Sequence, residues 1–164
     1  MKKKTISRGA AATLYALMTR LSFGHLSEET LAAVMDNFME LGKIEEYCRK
    51  MVDELRKRMF EGVDGETIEA YNAMAAEATE EEMQNAYPTL FPLVMKFNRL
   101  HSAIYAKQVE VELNEVDKAE FVKAVAMGTP NLTIGILNNF GVMFKEEKQE
   151  FAELDELMEG VGNE

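Results

Sequence analysis

Tryptophan is absent, cysteine occurs once, at Cys48, and proline occurs only three times in 164 residues. A lone cysteine excludes an intramolecular disulfide, and so few prolines leave room for long uninterrupted helices. No apolar run approaches the ~20 residues that a membrane-spanning helix needs, so no membrane partner is expected. No secretory h-region follows Met1, and the expected location is cytoplasmic. Basic residues are also scarce, 18 Lys and Arg against 29 Asp and Glu, for a formal net charge of -11. Such a balance repels a phosphate backbone, and direct nucleic-acid binding is not expected.

What the chain does contain is helix-forming apolar periodicity. With 47% hydrophobic residues, a chain of this length buries roughly 70% of its unfolded surface, which suits one helical domain over 1–164. The stretch from Ser27 to Phe60 organises it. Leu31, Met35, Phe38, Leu41, Ile44, Cys48, Met51, Leu55 and Met59 recur every three or four residues, the period of one helical face. Ser27 is a natural N-cap, and Glu28 and Glu29 suit the positive end of the helix dipole. A helix over 28–60 would run about 50 Å, longer than a compact domain of this size is wide. It must therefore protrude or break, and Gly42 is the weak point.

Shorter elements flank it. Ser7 can cap a helix over Arg8 to Leu21, whose small residues Gly9 to Ala12 would let another backbone approach. The breaker at Gly62, Asp64 and Gly65 precedes a weak helix over 66–77, and Thr79 with Glu82 has capping-box spacing. The region 62–88 reads as a mobile or excursion segment. Thr89 is placed to cap a helix from Leu90 to Ala106. Val109 to Leu113 then alternate apolar and acidic residues, a strand signal, and the best internal partner is Lys2 to Ile6, whose lysines would face Glu110 and Glu112. The ribbon expected is 2–6 with 108–113, which makes the fold class mainly α, or α+β. Asp117 and Glu120 suggest a second capping box opening a helix that stops at Gly128. Thr129 and Pro130 point to a further helix through Phe140, with a short hairpin as the alternative. Phe151, Leu154, Leu157 and Met158 keep helical spacing and predict a final amphipathic helix.

Residues with chemical potential do not converge. His25 and His101 lack a second ligand at chelating distance along a helix, and Cys48 sits on the apolar stripe without a neighbouring base. Glu80, Glu81 and Glu82 fan around a helix start. No phosphate-cradling glycine motif occurs. An enzyme is not expected on these grounds, nor a metal or other cofactor.

The order of parts has a parallel. A basic N-terminal strand leads into a helix opened by Ser7 and Arg8, and then into a long charged helix ending Asp53-Glu54-Leu55-Arg56-Lys57-Arg58. An acidic middle follows, then the strand Val109 to Leu113, Phe121, and the aromatic stretch Phe140 to Phe144. This layout resembles small uncharacterised proteins encoded by tailed phages and prophages. The resemblance implies an accessory or assembly role, with the host cytoplasm as location, and carries no functional residue over.

The function expected is non-enzymatic protein association, with a protein partner or a second copy of the chain. The contact is expected among Cys48, Met51, Val52, Leu55 and Met59, part of which should meet either the 62–88 segment or another chain. The alternative is an acidic inhibitor or nucleic-acid mimic that docks on a basic groove of a nucleic-acid enzyme. A pocket for a small ligand within the helical core is a third class.

Overall fold

A computed structural model describes residues 1–145 of the chain. Strand β1 (Lys2–Ser7) runs directly into α1 (Arg8–Met18), because the Ser7 hydroxyl accepts the Ala10 amide at 3.0 Å and caps the helix. After a loop, Ser27 caps α2 (Glu28–Met59) through the Thr30 amide. This helix is continuous for 32 residues, about 48 Å. Then follow α3 (Gly65–Ala75), α4 (Glu80–Ala86), α5 (Leu90–Ala106), β2 (Gln108–Leu113), α6 (Lys118–Gly128) and α7 (Ile134–Asn138), and a 3₁₀ turn closes the series at Asn139–Met143. The protein is mainly helical, with one long helix and a small ribbon.

The ribbon pairs β1 with β2 antiparallel, with Lys3 opposite Glu112 and Thr5 opposite Glu110. Lys3 reaches diagonally to Glu110 at 2.7 Å, and Lys2 binds Glu115 at 2.7 Å. The basic strand thus lies on the acidic one as their sequences require. Val111 and Leu113 face inward and are buried, and together with α1, α2, α6 and the 3₁₀ turn they form the main core around Leu41, Phe121 and Phe140. A second cluster, centred on Tyr71, Met83 and Leu90, is built by the 62–88 region on α5 and takes in Phe60 from the end of α2. That region folds as two helices; Asp64 and the Thr79–Glu82 capping box start them.

The long helix neither breaks nor stands bare. At Gly42 the ring of Tyr15 lies so close that an added Cβ would be 2.9 Å from it, and the same ring stacks on Phe38 at 4.7 Å. The glycine makes room for α1 rather than a hinge. Past the main core, α5 runs antiparallel alongside: Phe97 meets Phe60 and Arg56, while Tyr105, eight residues later, lies by Cys48.

Other boundaries differ from expectation for local reasons. The first helix stops at Met18, not Leu21, because the turn tightens: Arg20 and Leu21 donate to carbonyls three residues back. Thr89 has helical backbone and caps nothing; α5 grows from the turn in which Tyr87 accepts the Phe91 amide. Asp117 caps α6, but Glu120 does not complete the capping box, since its carboxylate is bound elsewhere. Thr129 opens no helix. Its hydroxyl accepts from the Ser22 amide at 2.8 Å and donates to the Ser22 carbonyl at 3.0 Å. The next helix starts only at Ile134, and no hairpin forms there. The expected final helix through Met158 lies outside the described residues.

The buried line of α2 is also rotated from the expected one. Thr30, Val34, Asn37 and Leu41 face the core, whereas Leu31 and Met35 are 44% and 57% exposed. Two polar residues hold the inner positions because each has a partner there. Asn37 bonds both backbone groups of Asn114, and Thr30 donates to Glu120.

Candidate functional site

Of the five residues expected at a contact, Cys48 and Val52 point inward where α5 packs on α2, at 0% and 7% exposure. They are unavailable to a partner. Burial pushes the Cys48 thiol above its ordinary pKa, which disfavours the thiolate. Met59 is half-buried. None of the five is among the residues of the cluster that the 62–88 region forms around Tyr71, Met83 and Leu90. Met51 and Leu55 stay together on one side of α2, and they open onto solvent.

These two side chains line an open groove of about 780 Å³ whose opposite wall is Leu100, Ala103 and Ile104 of α5. The antiparallel packing of α2 and α5 brings the walls together. Both apolar faces follow a helical period; on α2 the inner edge is Cys48 and Val52, both buried, which leaves Met51 and Leu55 at the outer edge. Tyr47, 53% exposed, and Leu100, 39% exposed, extend the apolar surface. Past the Arg8–Lys107 backbone bond, where the ribbon meets the helices, no element among the described residues covers it.

The rim has the opposite character to the rest of the chain. Arg8, Lys50, Arg58 and Lys107 line it with Glu54 as the one carboxylate. The Arg8 guanidinium lies 5.0 Å from the Tyr47 ring centroid, a cation–π contact. Lys50 holds Glu46 at 2.8 Å and Arg58 holds Glu54 at 2.8 Å; such exposed pairs are weak and exchange readily for another carboxylate. The sequence placed Lys50 and Arg58 on a solvated face and had no signal for Leu100 or Ile104 as partners of Met51 and Leu55. Only the pairing of α2 with α5 puts them in one site.

A second cleft, about 600 Å³, opens at the start of α2 among Glu29, Asp36, Glu115, Asp117 and Glu120. Most of these carboxylates are already engaged. Asp36 accepts from Asn114, Glu115 binds Lys2, Asp117 caps α6, and Glu120 accepts from Ser27 and Thr30. The Thr30 hydroxyl, followed by the Ser27 amide, holds the Glu120 carboxyl below the usual carboxylate range. These acids serve the fold.

His101 lies in an aromatic row on α5, 6.0 Å from Phe97 and 5.0 Å from Tyr105 between ring centroids. Among the described residues, no three His, Cys, Asp or Glu side chains gather as metal ligands, and no helix is long and apolar enough to cross a membrane. No family model, no curated protein and no solved structure matches this chain.

Proposed function

We propose that the chain is a non-enzymatic association module whose α2/α5 groove takes an amphipathic, acidic segment of a protein. The observation that carries this reading is the pairing of an apolar floor, Met51, Leu55, Leu100 and Ile104, with a cationic rim in a strongly acidic chain. An apolar helix face fits between two helices by the same packing that holds a bundle together. The rim then selects for carboxylates flanking that face and excludes basic segments by like charge. The acidic-inhibitor alternative finds less support, because the carboxylates gathered in the other cleft are used internally. The resemblance to phage-encoded proteins accords with an assembly role but adds no residue to it.

The test is fluorescence anisotropy with labelled amphipathic helical peptides that share one apolar face and carry either acidic or basic flanks. The acidic peptides should bind the full chain, and binding should weaken with salt and on Leu55→Gln or Ile104→Gln. Equal binding of both peptide classes, or affinity untouched by these substitutions, would overturn the reading.

A further inference from the structure

We infer that the acidic segment taken by the α2/α5 groove is the first half of α2 from a second copy of this chain, docked head-to-tail. This rests on the groove reading above and names its partner. Three observations point to it.

The first is that α2 is divided by charge. From Ser27 to Gly42 it holds Glu28, Glu29, Asp36 and Glu40 and no Lys or Arg, whereas in its second half the bases outnumber the acids. Lys50 and Arg58 of that half join Arg8 and Lys107 at the groove rim. One half of the helix therefore complements the surroundings of the other.

The second is an exposed apolar stripe of the same length as the groove. Leu31, Met35 and Met39 stand about one turn apart and are 44%, 57% and 62% exposed, a contiguous apolar face of the kind that marks an interaction surface. They span about 12 Å, as do Tyr47, Met51 and Leu55 along the groove. With Glu28 and Asp36 exposed beside it, the stripe has the acidic amphipathic character that the rim selects.

The third is placement. Because α2 runs unbroken from Glu28 to Met59, its own Leu31 to Met39 cannot fold back onto Met51 and Leu55. A second molecule is required. Leu31 and Met35 each follow a buried residue, Thr30 and Val34, whereas Met51 precedes the buried Val52. At about 100° of turn per residue, stripe and groove lie on opposite flanks of the helix. A two-fold axis cannot bring opposite flanks of one helix into mutual contact, so each copy offers its stripe to one neighbour and its groove to another. Such a heterologous contact grows as a filament or closes as a ring of three or more chains. Three side chains from one helix make a contact smaller than the roughly 1,200 Å² of stable complexes. Association is therefore weak and rises with concentration.

Two full-length variants test this. Met35→Lys with Met39→Lys removes the stripe, and Lys50→Glu with Lys107→Glu reverses the rim; all four positions are exposed, so both chains should fold, which urea melts check. Sedimentation is run at about 0.15 M salt, where repulsion between two acidic molecules is screened beyond about 8 Å. The average mass of the unaltered chain should climb past two chains as concentration rises. Each variant alone should lose about tenfold or more in association constant. Their equimolar mixture keeps one intact stripe and one intact groove, and should form a one-to-one complex that stops at two. An unaltered chain monomeric at about 1 mM, an assembly that ends at two, or a mixture that fails to pair would overturn the head-to-tail contact. If the labelled acidic peptides still bind the groove of a chain that stays monomeric, the occupant is wrong and the groove reading stands. If they do not, both fail.

Discussion

The Glu120 carboxylate accepts the Ser27 amide and the Thr30 hydroxyl, each at 2.6 Å, across at least 90 residues of sequence. It thereby ties α6 to the first turn of α2, where unpaired amides and the helix dipole favour a negative charge. Its pKa is lowered on folding, by the Thr30 hydroxyl first and the Ser27 amide second. A lowered carboxylate pKa gives stability that is present above the unfolded value, about 4.3, and is lost as pH falls through the folded value. Glu120→Gln should therefore lower the melting temperature at pH 7, and the gap to the unaltered chain should close in melts taken progressively below about pH 4. A gap independent of pH would mean that the charge is not what holds the two helices.

Asn37 fills a core position of α2 at 1% exposure, and its amide donates to the Asn114 carbonyl at 2.9 Å while its oxygen accepts the Asn114 amide at 2.7 Å. This pair of hydrogen bonds to the residue just past β2 fixes where the ribbon leaves the helix. Asn37→Leu matches the hydrophobic surroundings but strands both Asn114 backbone groups. The expected loss is about 2–4 kcal/mol, read as a lower urea midpoint with an unchanged slope. Asn37→Asp keeps the acceptor and sets a charge against the Asn114 carbonyl, so it should destabilise more at neutral pH than in acid, where the protonated carboxyl can donate again.

Much of the fold was legible because its signals are local. Ser27 with Glu28 and Glu29 marked the start of α2, and the alternation of Val109 to Leu113 against Lys2 to Ile6 gave the ribbon its partners. Where an outcome depended on tertiary partners, the sequence was silent. Thr30 and Asn37 lie beside the expected apolar stripe, not on it, yet they face inward because Glu120 and Asn114 partner them there. Met51 and Leu55 were visible as apolar residues, but nothing local showed that Leu100 and Ile104 would face them or that Arg8 and Lys107 would close the rim. Periodicity tells which face of a helix is apolar. It does not tell which other face will cover it, or how completely.

Gly128 illustrates a constraint of that tertiary kind. At the end of α6 a Cβ would run into the Ser22 carbonyl, in the place where Thr129 and Ser22 exchange two hydrogen bonds. Gly128→Ala must push these backbones apart and should cost roughly 1–3 kcal/mol. Gly65→Ala is the control. No atom lies within 4 Å of its Cβ position at the start of α3, so the substitution should stabilise by up to about 1 kcal/mol through helix propensity. Urea unfolding of the two variants should move in opposite directions; a shared sign would show that the close approach at Ser22 yields without cost.

The strongest separation of core from groove lies between Val52 and Leu55, neighbours on one helix with different roles. Val52 is 7% exposed, whereas Leu55 lines the open groove. Val52→Ala removes two carbons from a packed site and should cost about 2 kcal/mol. Leu55→Gln exchanges a half-solvated side chain for a polar one of similar length and should change stability by less than about 1 kcal/mol. The same substitution should nevertheless weaken capture of acidic amphipathic peptides, which Val52→Ala should leave unchanged once stability is matched by temperature. Urea melts and anisotropy on the two variants read both quantities. A Leu55→Gln protein as unstable as Val52→Ala would mean that the groove floor is interior packing, and the association reading would lose its surface.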